Sequence, residues 1–278
     1  MAENTKIDWC DATVNSSNGC RNRELLVVDT NGDIQHICPL GKDCYAARMM
    51  IRFPERYPNG MNHPTTNHEK IDAPLKIKKP SRIFINSMGD TFGQWQEFEY
   101  IDDLLLTALK NEGEKHRFLF LTKDPENMNR LLHDWARYHE ANLPKNCWFG
   151  TTITSEKDAW KVDRLCNSAC MTRNLFLSIE PLLGDVTCGG KTDFRGIPWI
   201  IIGAKTPDPM KNLPLMDWIT LDRALEALPN KPAIFLKGSM KKALVCDNVR
   251  QEFPPGLRRW GEQIVNPPRE TADEWGWY

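Results

Sequence analysis

The sequence predicts an α/β fold, a partial (β/α) TIM-like barrel of about six to seven parallel strands. Two observations carry this expectation. From residue 82 onward, short apolar runs alternate with amphipathic helical stretches, which is the rhythm of βαβ units. The residues just after each run are polar, and the carboxyl ends of parallel strands are where such folds bind ligands. The 278 residues also sit close to the roughly 250 of a single β/α barrel.

In order along the chain, residues 7–20 read as a short strand around Ala12 to Asn15, followed by a Ser/Asn/Gly turn into Cys20. Residues 24–36 hold two β-rich runs joined at Asn31-Gly32, a strong hairpin signal, and this hairpin would bring Cys20 back towards Cys38. Tyr45 to Phe53 is rich in Ala, Met and Arg and reads as a helix, ended by Pro54 and a Pro/Asn/Gly/His-rich segment through Thr66. The apolar runs then follow at 82–86, 117–122, 148–153, 174–178, 199–203 and 233–236. Between them, Phe98 to Lys110 carries a buried stripe of Ile101, Leu104, Leu105 and Ala108. Pro125 to Tyr138 carries Met128, Leu131, Leu132 and Trp135, with Asp124 as its N-cap and proline at the first helical position. A further helix is expected over Asp217 to Leu228, ended by Pro229. No repeat or linker divides the chain. We therefore read residues 1–278 as one domain, with a hairpin insertion at 21–37 and an aromatic C-terminal tail at 255–278 that packs across the barrel.

Hydrophobic content of 41% and charged content of 26% match an ordinary globular protein. No apolar run has the length of a bilayer span and the first residues lack an apolar leader, so a cytoplasmic, membrane-free protein is expected. In that compartment nine cysteines are thiols or metal ligands rather than disulfides. A net charge of −1 excludes coating nucleic acid by bulk electrostatics but permits a local basic groove. Lys76, Lys78, Lys79 and Arg82 form one candidate cluster, and Lys237, Lys241 and Lys242 another; solvated faces are the ordinary reading of both.

Cys20, Cys38 and Cys44 bracket a loop that ends in Cys44-Tyr45-Ala46-Ala47-Arg48, and they are the candidate metal ligands. His36 offers a fourth ligand for a Cys3His zinc site. Cys166, Cys170 and Cys188 could hold an auxiliary cluster, although buried free thiols are the commoner outcome. Cys10, Cys147 and Cys246 have no motif around them.

The strand ends present Asn86-Ser87-Met88-Gly89-Asp90, Thr122-Lys123, Thr151-Thr152-Ile153-Thr154, Glu180-Pro181, Lys205 and Lys237-Gly238-Ser239. A lysine, a carboxylate, hydroxyls and an amide converging on one mouth suit a zwitterionic or phosphorylated ligand.

Several strings fall in one order: Ile7-Asp8-Trp9 with Asp11-Ala12-Thr13, Gly19-Cys20, Cys44-Tyr45-Ala46, and Ile85 to Phe92. Leu121-Thr122-Lys123 with Pro125-Glu126, Glu180-Pro181-Leu182-Leu183-Gly184, and Trp199-Ile200 with Gly203 complete the set. Together they resemble the phage-associated three-cysteine-motif family of radical S-adenosylmethionine proteins, collinearly over most of residues 7–238. That family sets its cysteines close together, whereas residues 21–37 and 39–43 intervene here; the Asn31-Gly32 hairpin absorbs the first insertion. Asp43 stands where the superfamily often has an aromatic residue before the last cysteine, with Tyr45 as a substitute.

The resemblance implies a partial barrel holding a [4Fe–4S] cluster on Cys20, Cys38 and Cys44, with the fourth iron open to S-adenosylmethionine. It implies Ser87 and Asp90 for the methionine amino group, Lys123 for its carboxylate, Thr152 for a hydroxyl contact and Asn86 for a further hydrogen bond. Glu180, Lys205 and Lys237 would face a substrate, with a salt bridge among them as the plainer alternative. Reductive cleavage would give a 5′-deoxyadenosyl radical, fed by a flavodoxin- or ferredoxin-type electron donor. Phage association points to isomerisation or tailoring of a hypermodified pyrimidine in DNA, in the host cytoplasm. Duplex DNA would need its base flipped, with Trp260, Trp275 and Trp277 as stacking candidates. The alternative from another class is a zinc-stapled nucleic-acid-binding protein without catalysis.

Overall fold

The computed structural model describes residues 5–22, 24–28, 34–38, 40, 44–111, 116–167 and 172–258. The chain opens with β1 (Ala12–Val14) and β2 (Ser17–Asn18), then β3 (Leu26–Val28) and β4 (Ile34–His36). Helix α1 (Tyr45–Arg52) and β5 (Thr65–Thr66) follow. The regular part alternates β6 (Arg82–Ile85), α2 (Phe98–Lys110), β7 (Arg117–Thr122), α3 (Pro125–Tyr138), β8 (Cys147–Ile153), α4 (Lys161–Cys166) and β9 (Leu175–Ile179). It ends with β10 (Trp199–Ile202), α5 (Pro209–Asn212), α6 (Leu215–Glu226), β11 (Ala233–Leu236) and α7 (Gly238–Ala243).

The large sheet has seven strands in the order β1-β6-β7-β8-β9-β10-β11, and all its pairings are parallel. It curls into a half-barrel within a mixed α/β protein. Period-two alternation gives each strand two buried faces, which is why the runs read as continuously apolar. The outer face, with Ile83, Phe118, Phe149, Leu177 and Ile200, packs against Leu104, Leu131, Trp135 and Leu221 of the helices. The inner face gathers Phe84, Leu119, Trp148, Phe176, Trp199, Ile201 and Phe235 into a second cluster.

The inner cluster is plugged by Trp9 from the N-terminal segment. Its indole lies 4.7 Å from Phe84 and 6.1 Å from Trp199, centroid to centroid. Gly150 leaves the room this packing needs, because a Cβ there would stand 2.6 Å from the Phe176 carbonyl oxygen. The start of the tail closes the same end: Leu257 is buried in the inner cluster and Arg117 donates to the Gly256 carbonyl at 2.8 Å. Trp260, Trp275 and Trp277 lie outside the described residues.

Three sequence expectations change. Helix α6 starts at Leu215 and ends at Glu226, two residues earlier than Asp217–Leu228, because Pro214 occupies its N-cap and Asp217 falls in the first turn. Arg82 is no member of a surface basic cluster: it is buried, forms a two-pronged pair with Asp11 at 3.0 and 3.1 Å, and lies 3.7 Å over the Phe253 ring. Lys76, Lys78 and Lys79 are exposed but precede β6, so they stand at the amino end of the sheet, opposite the mouth. Among the described residues, no helix is long and apolar enough to cross a membrane.

Candidate functional site

The cysteine loop lies on the connection between β6 and α2. Gly19 bridges Gly89 in parallel, and its N–H donates to the Met88 carbonyl at 3.0 Å. Gly19 has φ +86° and a Cβ there would lie 2.9 Å from Pro64 Cα; one at Gly89 would lie 2.9 Å from the Gly19 carbonyl. Only glycine lets the two backbones approach so closely. Cys20 then donates its N–H to the Met61 carbonyl at 2.7 Å.

The hairpin is present: β3 pairs antiparallel with β4, Leu26 opposite His36. It returns the chain so that the Cys38 N–H donates to the Asn22 carbonyl at 3.2 Å, two residues from Cys20. Its turn, Asn31-Gly32, lies outside the described residues, as do Asp43 and Cys170. Cys44 caps α1, whose Ala46 and Met50 pack against Met88 on the same β6–α2 connection.

Cys20 and Cys38 are buried, Cys44 is half-buried, and all three thiols lie within electrostatic reach of the Lys123 ammonium at the end of β7. Burial pulls the Lys123 pKa down, but Cys38, Asp90, Cys44 and Cys20 together hold it above the ordinary 10.5. Burial, then the Asp90 charge, push the Cys20 thiol well up, against the Asn22 backbone and Lys123. A coordinating metal reverses that balance by taking the thiolate outright. Among the described residues, no group of three or more His, Cys, Asp or Glu side chains closes on a point that would hold a single metal ion. His36 is exposed on β4.

Asp90 ties this assembly together. One carboxylate oxygen accepts from the Phe92 N–H at 3.0 Å and the Thr122 hydroxyl at 2.7 Å. The other accepts from Asn22 Nδ2 at 2.5 Å and the Lys123 N–H at 2.9 Å. These bonds fill the positions a carboxylate offers. Asn86 is equally committed: at φ 61° and 1% exposure, its Oδ1 accepts from the Ser17 N–H at 2.9 Å and its Nδ2 donates to Thr91 and Tyr100 at 3.0 and 2.7 Å. Ser87 is half-buried and donates to Asn15 Oδ1 at 3.1 Å.

Alternation along the strands places Lys123, Thr152, Ser178, Glu180 and Lys237 on the inner face, above the aromatic plug. Thr152 and Ser178 are register partners on β8 and β9, 3% and 1% exposed, and neither hydroxyl has a hydrogen-bond partner among the described residues. Unpartnered buried hydroxyls are uncommon and mark where a ligand or water completes the site. Across the mouth, Glu180 and Lys237 form an ion pair. Gly203 makes room for it, since a Cβ there would stand 3.1 Å from Lys237 Cδ and 3.2 Å from Glu180 Cγ. Asp8 accepts from the Gly238 N–H at 2.8 Å, fastening the N-terminal segment beside the pair. Lys205 is half-buried after β10.

Sequence reasoning missed Ser178, Asn15 and Asn22. Ser178 was legible as the polar member of the alternation Phe176, Ser178, Glu180; the two asparagines carried no signal in their flanks. Cys166 and Cys188 are half-buried free thiols, and Cys147 is fully buried in the outer core.

A curled parallel sheet with a plugged floor, a polar mouth and a three-cysteine loop laid over one rim defines an α/β half-barrel protein. A family model described as "Protein of unknown function (DUF5131)" matches residues 4–223, and the chain belongs to that family. No curated protein and no solved structure matches it.

Proposed function

We propose that this protein is a radical S-adenosylmethionine enzyme on a partial TIM-type barrel, with Cys20, Cys38 and Cys44 as ligands of a [4Fe–4S] cluster. One observation carries the proposal: backbone bonds from Gly19 to Met88 and from Cys38 to Asn22, with helix α1 packed on Met88, bring three cysteines spread over residues 20–44 onto the β6–α2 connection at the carboxyl end of the parallel sheet. The donor set fits the group. Three thiols stand at one rim, and an open-iron cluster takes three thiolates and leaves one iron for a small molecule. Two unpartnered hydroxyls, Thr152 and Ser178, stand on the adjoining inner face and invite a polar ligand.

When bound, the cluster would supply an electron to the sulfonium of S-adenosylmethionine and so release methionine and a 5′-deoxyadenosyl radical. The chain's own residues then do the following. Lys123 presents a fixed cation to the methionine carboxylate, and no hydrogen-bonded or ion-paired partner among the described residues competes for its ammonium. Ser87 donates to Asn15 and keeps oxygen lone pairs for the amino group. Asp90 and Asn86 position these side chains from behind, since their own bonds are complete. Thr152 and Ser178 contact the nucleoside part. The aromatic floor of Trp9, Phe176 and Trp199 excludes water from below. The paired Glu180 and Lys237 face the substrate and orient it through hydrogen bonds without adding net charge; Lys205 stands beside them. The substrate class we infer is a hypermodified pyrimidine in phage DNA, with a flavodoxin- or ferredoxin-type donor as partner.

The test is anaerobic reconstitution with iron and sulfide. The expected product is a brown protein with about four irons, bleached by dithionite, that forms 5′-deoxyadenosine from S-adenosylmethionine. Cys→Ala at position 20, 38 or 44 should abolish the colour. Tight colourless zinc with no iron uptake sinks the proposal, and 5′-deoxyadenosine without altered nucleosides rejects only the DNA substrate.

A further inference from the structure

Lys161 has no part in the function proposed above, yet it is the most deeply buried lysine among the described residues. It sits at the first turn of α4 with 0% exposure. Its ammonium donates to the Ile37 carbonyl at 2.5 Å, reaching across 124 residues of sequence. Among the described residues it has no carboxylate at ion-pair distance. Burial, with the Lys123 charge, pulls its pKa below the ordinary 10.5, against Asp158, Cys38 and Asp124, which favour the charged form. Asp158 is already committed to the turn before α4, accepting from the Thr154 N–H at 2.8 Å and the Ser155 N–H at 3.0 Å. Asp124 is committed to the N-cap of α3 and to Gln94. Buried ammonium groups are kept where an anion compensates them. The group left over is Cys38, the residue after Ile37, which faces Lys161 and Lys123 alike.

We propose that Lys161 is the buried counter-charge and anchor of the third cysteine ligand: it fixes the 37–38 backbone against α4 and compensates the negative thiolate shell of a bound iron–sulfur cluster. This rests on the cluster reading and extends it to a positioning residue outside the three ligands. A shell of three thiolates becomes more negative when the cluster takes up an electron, so a fixed cation beside it favours the reduced state. Lys161 is therefore a determinant of the reduction potential as well as of cluster retention.

The experiment compares wild-type protein with Lys161→Met and Lys161→Gln. In the metal-free proteins, alkylation of Cys38 by iodoacetamide is followed by peptide mass analysis. Rates are compared as the thiolate rate constant taken from the pH profile, which divides out the charge lost with the lysine; on that basis Lys161→Met should be alkylated at Cys38 severalfold faster, with Cys20 unchanged, and equal constants at Cys38 overturn the anchoring role. After reconstitution, both variants should lose iron to a chelator severalfold faster and titrate at a lower midpoint potential than wild type. Unchanged potential and chelator resistance in both overturn the counter-charge role. Wild-type protein that takes up no iron refutes the cluster reading and, with it, the counter-charge role, while the alkylation comparison still decides the anchoring. If Lys161→Met does not fold, Lys161→Gln, which keeps a donor for the Ile37 carbonyl but no charge, carries the counter-charge comparisons, and Lys161→Ala carries the alkylation.

Discussion

Asp90 shows how much a single buried carboxylate organises. Its four accepted bonds join the loop after Cys20, the β6–α2 connection and the end of β7. Asp90→Asn replaces one acceptor oxygen with a donor that must face another donor. A hydrogen bond to a charged group contributes about 1.5–3 kcal/mol, so the variant should lose about 3 kcal/mol in urea denaturation. A loss below about 0.5 kcal/mol would mean that the bonds are not made in solution. The Glu180–Lys237 pair gives a pH-dependent counterpart. Burial lowers the Lys237 pKa, but the Glu180 charge and hydrogen bond outweigh it and hold the value above the ordinary 10.5. Because the folded value exceeds the unfolded one, the stabilisation is complete below pH 10.5 and is lost as the pH rises through the folded value. Lys123 and Arg250 are raised as well. The pair's share is therefore read as the difference between wild type and Glu180→Gln, whose alkaline loss of stability should be the smaller. Identical alkaline profiles would assign no coupling to the pair.

The cysteine loop is held by backbone more than by side chains. Gly19 and Gly89 lie against one another, and the β3–β4 pair returns Cys38 to Asn22. Gly19→Ala adds a Cβ that meets backbone at 2.9 Å on a residue with φ +86°, so both terms are unfavourable. The expected result is a loss of about 1–3 kcal/mol in thermal or urea unfolding, together with reduced iron uptake on reconstitution. A variant with wild-type stability and full iron content would show that the loop tolerates the shift. The hairpin was legible because Asn31-Gly32 between β-rich runs is a local signal. Helices α2 and α3 were legible to the residue because each has an apolar stripe, and α3 has Asp124 and Pro125 to mark its start. Helix α6 was displaced because its start is set by Pro214 and its packing through Trp218, Leu221 and Leu225 rather than by Asp217.

The direction of the sheet decides which charges face the mouth. Lys76, Lys78 and Lys79 stand before β6 and point to the wrong end, whereas Lys241 and Lys242 follow β11 and are exposed on the mouth side. If DNA is the substrate, its binding should be salt-sensitive and weakened by Lys241→Ala and Lys242→Ala. The same change at Lys76, Lys78 and Lys79 should have little effect. An equal effect of both sets in a binding titration would refute a mouth-side docking of DNA.

What the sequence determined by itself was periodic or local. The alternation of apolar runs and amphipathic stretches specified about six to seven parallel strands, of which the sheet has seven, and the residues ending those runs marked the mouth, because strand polarity alone decides which end they reach. Tertiary structure decided the rest. It alone set Arg82 inside against Asp11, committed Asp90 and Asn86 to internal bonds, and chose Lys237 as the partner of Glu180 in the salt bridge the sequence offered as an alternative. It alone brought Lys161 to the Ile37 carbonyl, beside Cys38 in the chain. Each of these depends on groups far apart in sequence meeting where water is excluded. There the need to satisfy every buried charge and donor chooses partners that no local pattern records.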